Sequence, residues 1–291
     1  MATRTVPVDA PLDLRGTLAR LHGRYARDGW WLTGRTPEGP GTLHVRRDKE
    51  GVQGEAWGDG GDWLLERLQA IVGLEDDPAA FSPENPVVAR AHRDHPGLRF
   101  GRTGLVFDAL LAAICAQKVT GKEAAAAQRG LRQRFSDPAP GPDAGLRLPP
   151  DPARLAATPY WEYHEAHLEK RRADLIRRVA AQAERIDGLW SMATEEAATA
   201  LSAMEGVGAW TVAKTLEVSH GDPDQVAVGD FHLKNIVVHH LTGRDRGTDA
   251  EMLQLLEPFR PHRGRVIRLL ERLGPAPAFG PRSTPRDITG M

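Results

Sequence analysis

The spacing of hydrophobic residues changes along the chain, from short alternating runs before residue 85 to helical spacing after it. Alternation and turn signals predict strands over residues 5–9, 30–35, 42–47 and 51–57, and helical spacing predicts helices over 12–23 and 62–72. The segment Ser82-Pro-Glu-Asn-Pro86 then breaks the pattern. We therefore predict that residues 1–85 form a small antiparallel α+β domain with the element order β-α-β-β-β-α.

From Phe107 onward the pattern is mainly helical. A Pro/Gly-rich loop over residues 136–145 interrupts it, and a Gly/Pro-rich tail follows over residues 275–291. The chain as a whole is therefore predicted to be mostly α, with the α+β part confined to its N-terminal third.

The composition fits a protein with a packed core and no membrane segment. With 291 residues and 41% hydrophobic content, the chain is long enough for one large domain or two to three small ones. No run approaches the roughly 20 apolar residues of a membrane helix, and no apolar signal region is seen, so a cytoplasmic location is expected. Cys115 is the only cysteine, which excludes internal disulfides and a four-cysteine iron–sulfur cluster. It lies in an apolar helix and is predicted to be a buried, inert thiol.

The net charge of −1 gives only weak support for a nucleic-acid partner, but the charges are unevenly placed. The N-terminal part is acidic over residues 48–77. A solvated helix face is the usual meaning of basic clusters, and a DNA-facing surface is the alternative here. The clusters are Lys170, Arg171, Arg172, Arg177 and Arg178, and then Arg260, Arg263, Arg265, Arg268 and Arg272.

Two glycines separate two helical runs over residues 201–215. Gly206-Val207-Gly208 breaks the first run, and good helix formers resume at Ala209. A helix that begins here has free N–H groups and a partial positive charge at its start, where a phosphate fits. A simple turn between two helices is the alternative.

Asp230 lies 230 − 210 = 20 residues after Trp210 and directly before an apolar helical run. Position alone favours a helix cap, since aspartate satisfies free N–H groups at a helix start. The same fixed carboxylate could also stabilise positive charge that develops on a sugar, or orient a water molecule. The two roles are compatible.

The Gly-Val-Gly hairpin with an aspartate at this distance resembles the helix-hairpin-helix DNA glycosylases, most of all the bacterial 3-methyladenine DNA glycosylases of the inducible, broad-specificity type. The resemblance runs from about residue 5 to residue 270 and implies two helical subdomains over residues 86–274. It implies that Asp230 is catalytic. Relatives that also cut the DNA backbone carry a lysine nucleophile where this chain has Trp210, so the resemblance implies an enzyme without lyase activity. An indole face would attract a cationic alkylated base, and packing in the core is the alternative for Trp210.

Residues 94–120 also resemble the family's entry into its helical domain, and Gln117 matches a glutamine near the gap left by the extruded nucleotide. Lys118 stands where the family has an apolar wedge, and either contacts phosphate or is solvated. Lys214 and Glu271 stand where the family has pocket aromatics. The resemblance implies that DNA is bound by Gly206, Val207, Gly208, Thr211 and Lys118, and substrate by Trp210, Gln117, Lys214 and Phe231.

The segment Tyr160-Trp-Glu-Tyr-His-Glu-Ala-His167 concentrates aromatic and histidine side chains at a helix start. Tyr160, Trp161 and Tyr163 are candidates to line a base pocket, and packing between subdomains is the alternative. His164 and His167 have i, i+3 spacing, but no further ligand pattern indicates a metal site.

These observations predict a monofunctional DNA glycosylase that hydrolyses the N-glycosidic bond of damaged, alkylated purines and leaves an abasic site. Its partner would be double-stranded DNA with a damaged base, the protein would be a monomer in the bacterial cytoplasm near the nucleoid, and no cofactor would be required. The family implies at most a structural monovalent cation at the hairpin when DNA is bound. The alternatives are a non-enzymatic DNA-binding protein and a glycosylase for deaminated or oxidised purines.

Overall fold

Five antiparallel strands form one sheet in the N-terminal part of the chain. The computed structural model describes residues 1–277, and in it the strand order is β1-β5-β4-β3-β2. The strands are β1 Ala2–Val6, β2 Arg24–Tyr25, β3 Trp30–Thr36, β4 Gly39–Arg47 and β5 Val52–Trp57. The helices of this part are α1 Leu14–Leu18, α2 Gly61–Glu66 and α3 Leu68–Ile71, and α2 packs on β4 and β5.

Alternating apolar residues give this sheet one buried face. Leu32 of β3 lies opposite Leu43 of β4, and both pack in a core with Leu64 and Leu68. The predicted antiparallel α+β arrangement is confirmed, but its elements differ in detail. The helix predicted over residues 12–23 is confined to Leu14–Leu18, and the helix predicted over residues 62–72 is divided at Arg67 into α2 and α3. The first strand ends at Val6, before Pro7, which has no N–H to donate to a strand ladder. The two-residue strand β2 was not predicted, since so short a pairing leaves no alternation to detect.

The rest of the chain is helical, as predicted. Twelve α-helices lie in this part of the described chain, together with 3₁₀ turns at Pro78–Ala80, Gly188–Ser191 and Glu257–Phe259. The helices are α4 Pro86–Asp94, α5 Val106–Cys115, α6 Gly121–Phe135, α7 Pro152–Ala157, α8 Tyr160–His164, α9 Lys170–Ala180, α10 Ala183–Asp187, α11 Thr194–Ser202, α12 Ala209–Ser219, α13 Leu233–Thr242, α14 Asp249–Leu256 and α15 Arg263–Arg272.

The helices share two hydrophobic cores. One is built from α5 to α12 and contains Cys115, which is fully buried as predicted. Burial raises the pKa of the Cys115 thiol to about 12, so this thiol is inert. The other core joins α4 to α13, α14 and α15, so the chain returns at its end to a helix that it passed near residue 90.

The C-terminal arginines serve this packing instead of forming a DNA-facing surface. Arg265 is fully buried and pairs with Asp76 at 2.5 Å, and Arg272 pairs with Asp13 at 2.8 Å. Arg263 pairs with Asp224, and Arg260 pairs with Asp224 and Glu257. In the first basic cluster, Arg172 is also buried and donates to the carbonyl of Cys115. A sequence pattern shows that charges cluster but not which acidic groups fold against them.

No helix among the described residues is long and apolar enough to cross a membrane. The Gly/Pro-rich segment predicted over residues 275–291 lies almost entirely outside them.

Candidate active site and nucleic-acid interface

The two glycines between α11 and α12 differ in what they do. Gly206 has φ +89°, and a Cβ there would lie 3.2 Å from Leu175, so this position requires glycine. Gly208 is the N-cap of α12 in an extended conformation, and a Cβ there would meet nothing within 4 Å. Val207, which is 5% exposed, packs its side chain into the helical core. The hairpin is therefore anchored to the helical core through Val207, and the space in front of the first N–H groups of α12 is open.

Gln117 joins the end of α5 to this hairpin. Its Nε2 donates to the carbonyl of Gly206 at 3.1 Å and to Oγ1 of Thr211 at 2.9 Å. Thr211 is only 2% exposed and its hydroxyl holds Gln117, so a contact with DNA, which stays a prediction, would have to come from its backbone. Gln117 itself stays part exposed at the edge of the hairpin.

Two exposed cations flank the hairpin. Lys118 follows Gln117 with φ 54°, a left-handed conformation that is uncommon outside glycine and asparagine, and its side chain is exposed. Arg178 of α9 is also exposed and donates to the carbonyl of Glu205 at 3.3 Å. Both therefore place positive charge near the start of α12.

The same contacts bear on the monovalent cation that the family resemblance implied at the hairpin. The carbonyls of Glu205 and Gly206 accept hydrogen bonds from Arg178 and Gln117, and each carbonyl oxygen keeps a second lone pair. The cation therefore stays a prediction. Within residues 1–277 no group of three or more His, Cys, Asp or Glu side chains could hold a metal.

Asp230 lies just before α13, with both carboxylate oxygens occupied. Its Oδ1 accepts the backbone N–H groups of His232 at 2.8 Å and Leu233 at 3.2 Å. Its Oδ2 accepts the indole N–H of Trp210 at 3.1 Å. The helix was predicted to begin directly after Asp230, but its N-cap is His232, so Asp230 holds the turn that leads into α13. The carboxylate stays half-buried at the surface beside Trp210.

Trp210 lies in the first turn of α12 and is half-buried. It belongs to none of the three hydrophobic cores, so packing in the core does not explain it. Its ring edge faces Asp230 through the indole N–H. Trp210 and Asp230, which are 20 residues apart in sequence, are thus joined by a hydrogen bond.

The turn that carries Asp230 is held from α14. Gly229 has φ +90°, and its N–H donates to Oδ1 of Asp249 at 3.0 Å. Oδ2 of Asp249 lies 3.5 Å from Nζ of Lys234 on α13. The N–H of Asp230 donates to the carbonyl of Ala227 at 3.1 Å. These contacts fix the backbone on both sides of the carboxylate.

A small cavity of about 30 Å³, with room for about one water molecule, lies beside this turn, between α12, α15 and the N-terminal part. Leu233 and Ala227, which both contact Asp230, lie in its wall. So do five charged residues, Arg20, Lys214, Glu217, Arg268 and Glu271. Lys214 lies one helical turn after Trp210, on the same face of α12.

Glu217 is the centre of the charged wall. Its carboxylate lies 2.6 Å from Nζ of Lys214 and 2.9 Å from Arg268, whose guanidinium stacks 3.7 Å from the Phe100 ring centroid. Burial alone would raise the pKa of Glu217, but the two cations outweigh it and lower that pKa to about 2. Glu217 is therefore ionised at neutral pH and holds both cations in place. Arg20 and Glu271 form a separate pair at 2.5 Å.

The aromatic cluster near residue 160 divides between core and surface. Tyr163 is fully buried and donates to the carbonyl of Leu155, which favours the packing alternative for this residue over a place in a base pocket. Tyr160 packs on the helical core beside His164, whereas Trp161 is 68% exposed. Phe231 is 64% exposed directly after Asp230, where a bound nucleotide could reach it.

Sequence reasoning missed the parts that Glu217, Arg20 and Asp249 play. The i, i+3 spacing of Lys214 and Glu217 was a usable signal for the first. Arg20 and Asp249 come to the site from distant parts of the chain, so no spacing pattern in the sequence predicts their contacts.

No protein-family model matches the chain, and neither does any curated protein. Many solved structures do. A 3-methyladenine DNA glycosylase from Archaeoglobus fulgidus superposes with a TM-score of 0.75 at 15% identity, over 94% of this chain and 98% of that one. An 8-oxoguanine glycosylase/lyase from Clostridium acetobutylicum, in complex with double-stranded DNA, gives 0.69 at 14% identity over 90% and 91%. The 3-methyladenine DNA glycosylase Mag1 from Schizosaccharomyces pombe, bound to abasic DNA, gives 0.55 at 18% identity over 66% and 93%. The chain therefore has the fold of the helix-hairpin-helix DNA glycosylases.

Proposed function

We propose that the protein is a DNA glycosylase that hydrolyses the N-glycosidic bond of damaged purines, alkylated ones among them, and leaves an abasic site without cutting the strand. The observation that carries the proposal is the Asp230 carboxylate, fixed by two backbone N–H groups and by the Trp210 indole beside the open N-terminus of α12. A DNA-binding protein without enzymatic activity would need Asp230 to hold the start of α13, but it would not need this carboxylate to stay partly exposed.

The role of each group follows from the charge that develops as the bond breaks. Loss of the base leaves positive charge on the sugar, as in glycoside hydrolysis. A fixed carboxylate stabilises that charge, and it can orient or deprotonate the water that attacks. The three N–H groups that Asp230 accepts hold its negative charge in one geometry, so little reorganisation is needed during reaction.

The duplex would be held at the phosphates and the damaged nucleotide extruded toward Asp230. The open N-terminus of α12 supplies backbone N–H groups, and Arg178 and Lys118 supply charge on either side of it. A cationic alkylated base is already a good leaving group, so no strong general acid is needed. The half-buried indole of Trp210 suits such a base, because a ring face attracts a cation.

The test is base release from alkylated duplex DNA by the wild type and by Asp230→Asn. Asparagine can still accept the N–H groups of His232 and Leu233, so folding and DNA binding should be kept. Base release should fall by roughly two orders of magnitude or more, as when a preorganised charged group is removed from an active site. Asp94→Asn, which changes an exposed carboxylate on α4, is the matched control.

Unchanged release by Asp230→Asn would remove the catalytic assignment. Tight DNA binding by the wild type with no release of any damaged base would favour the non-enzymatic alternative.

A further inference from the structure

We propose that Asp249 is a positioning residue that keeps the Asp230 carboxylate in contact with Trp210 by fixing one peptide of the turn before it. Asp230 carries the chemistry in the proposed function, on which this inference rests. Asp249 is the first residue of α14, but that helix does not need it as a cap, since Thr248 and Glu251 already form a capping box there. Its carboxylate is directed to the turn instead.

The turn over residues 227–230 can take two conformations. The N–H of Asp230 donates to the carbonyl of Ala227 at 3.1 Å, which closes a β-turn. Gly229 is the third residue of this turn and has φ +90°, the sign that a type II turn requires. A type I turn closes with the same hydrogen bond but has negative φ at its third residue, so the two types differ by a flip of the peptide that joins Val228 to Gly229. Glycine adopts both signs of φ, so the residues of the turn alone do not fix which type forms.

Asp249 stabilises one of these two orientations. Its Oδ1 accepts the N–H of Gly229 at 3.0 Å, and this N–H belongs to the peptide that flips. A flipped peptide would direct the Val228 carbonyl toward the same carboxylate, and two acceptors repel each other. The Asp249 side chain is held in turn by Lys234, whose Nζ lies 3.5 Å from Oδ2.

The chain that leads into α14 is tied to α13, so Asp249 has a rigid support. Oδ1 of Asn235 accepts the N–H of Gly247 at 3.2 Å. A Cβ at Gly247 would overlap the side chain of Val238, which shows how closely this loop packs on α13. In contrast, a Cβ at Gly229 would meet nothing within 4 Å, so the turn itself is not held by packing.

The flip bears on reactivity because Asp230 is the last residue of the turn. Its carboxylate makes three directed hydrogen bonds, to Trp210 and to the N–H groups of His232 and Leu233. If the central peptide is free to flip, the chain enters Asp230 from more than one direction, and the carboxylate leaves this geometry part of the time. A misplacement of about 1 Å at a reacting group can cost about a hundredfold in rate.

The experiment compares Asp249→Ala, Asp249→Asn and Lys234→Met in single-turnover base release from alkylated duplex DNA at saturating protein. Asparagine keeps an acceptor for the Gly229 N–H, and Lys234→Met removes the ion pair but leaves the acceptor. The rate should therefore fall about tenfold or more in Asp249→Ala and by less than about threefold in the other two. The two Asp249 variants carry the same charge, so their affinities for a duplex with an abasic site should be equal.

Glu195→Ala is the matched control, because Glu195 is also an exposed carboxylate in the first turn of a helix, α11. Its rate should equal that of the wild type.

A second measurement does not depend on base release. The indole N–H of Trp210 gives its own NMR signal, which is identified by its loss in Trp210→Phe, and this signal reports the hydrogen bond to Asp230. In the free protein the signal should shift or broaden in Asp249→Ala and stay in place in Asp249→Asn. If Asp249→Ala does not fold, Asn235→Ala, which releases the loop before α14, takes its place and should move the same signal.

The outcomes separate this inference from the proposed function. A wild-type rate in Asp249→Ala with an unmoved indole signal would overturn the inference and leave the proposed function intact. Equal losses in Asp249→Ala and Asp249→Asn would also overturn it, because they would make the charge of Asp249 responsible instead of its acceptor. A moved signal together with no base release by the wild type would keep the positioning of Asp230 and reject the enzyme.

Discussion

At the scale of single residues, the proposed function gives Trp210 two roles, one in base recognition and one in holding Asp230. Its indole N–H holds Oδ2 of Asp230, while its ring stays half-buried at the start of α12. A substitution at this position can therefore change two quantities, the geometry of the carboxylate and the contact with the base. Two different substitutions separate them.

Trp210→Phe keeps an aromatic face but removes the N–H. Hydrogen bonds to charged groups contribute about 1.5–3 kcal/mol, so we expect excision of all lesions to fall by roughly tenfold to a hundredfold. Trp210→Ala should in addition impair cationic lesions, because a cation–π contact contributes about 0.5–1 kcal/mol when exposed and roughly 2 when desolvated. Release of 7-methylguanine, 3-methyladenine and hypoxanthine by each variant gives the measurement. Equal losses on charged and neutral bases in Trp210→Ala would leave the ring a stacking role only.

The lysines near the site bear on strand cleavage. Trp210 occupies the hairpin position where a lyase would carry its nucleophile, and the nearby Lys214 and Lys234 are both held in ion pairs. We expect an intact strand with an alkali-labile abasic site after base release. Gel analysis of end-labelled DNA with and without alkali checks this. A covalent adduct trapped by borohydride would contradict it.

At the scale of elements, the open position of Gly208 allows a clean test of the hairpin. Aspartate and asparagine are both good N-cap residues, and a Cβ here meets nothing within 4 Å, so Gly208→Asp and Gly208→Asn should both fold and keep their thermal stability. Only the aspartate places a negative charge where a phosphate must approach. Its affinity for duplexes of any sequence should drop, by about tenfold or more, while the asparagine variant falls less. Equal affinities in all three proteins would reduce the hairpin to a structural turn.

The hairpin and Asp230 were visible in the sequence because each depends on local chemistry, a glycine turn and a helix start. Their contact was not, since 20 residues of spacing do not fix which way a tryptophan edge points. The burial of Thr211 and Tyr163 was not visible either. Both have suitable chemistry for a site, but they point inward and are 2% and 0% exposed. Burial of this kind depends on partners that are distant in sequence.

At the scale of the whole molecule, α15 is joined to the N-terminal third by charge as well as by apolar packing. Arg265 is fully buried against Asp76, and Arg272 makes an exposed pair with Asp13. Loss of one partner of a buried pair leaves a charge unpaired, so Arg265→Met should lower the free energy of unfolding by about 3–5 kcal/mol. Arg272→Met, the control, should lower it by less than about 1 kcal/mol. Denaturant titration measures both, and similar losses in the two variants would contradict the ranking.

The free energy of unfolding should depend on pH through the titration of Asp187. Its carboxylate accepts the N–H of Phe107 at the start of α5, yet burial outweighs that contact and raises its pKa to about 6. Because the fold favours the protonated form, this group stabilises fully below its unfolded pKa of about 4, and the contribution is lost as the pH rises through about 6. The shift corresponds to at most about 3 kcal/mol. Asp187→Asn should flatten the change in unfolding free energy between about pH 4 and pH 7, whereas Asp62→Asn, on the exposed face of α2, should not. A curve for Asp187→Asn with the wild-type slope would show that another group titrates.

The pairing of the C-terminal arginines has a consequence for how the protein meets a polyanion. Arg263, Arg265 and Arg268 are largely buried and already neutralised by Asp224, Asp76 and Glu217, so they cannot displace the counterions condensed on DNA. Association would then release few ions, and its affinity would decline only gently as salt is added. Arg178 and Lys118, beside the helix start, would set most of that slope. Added salt would thus weaken only the few contacts made by these two cations, while the larger number of guanidinium groups stabilises the fold.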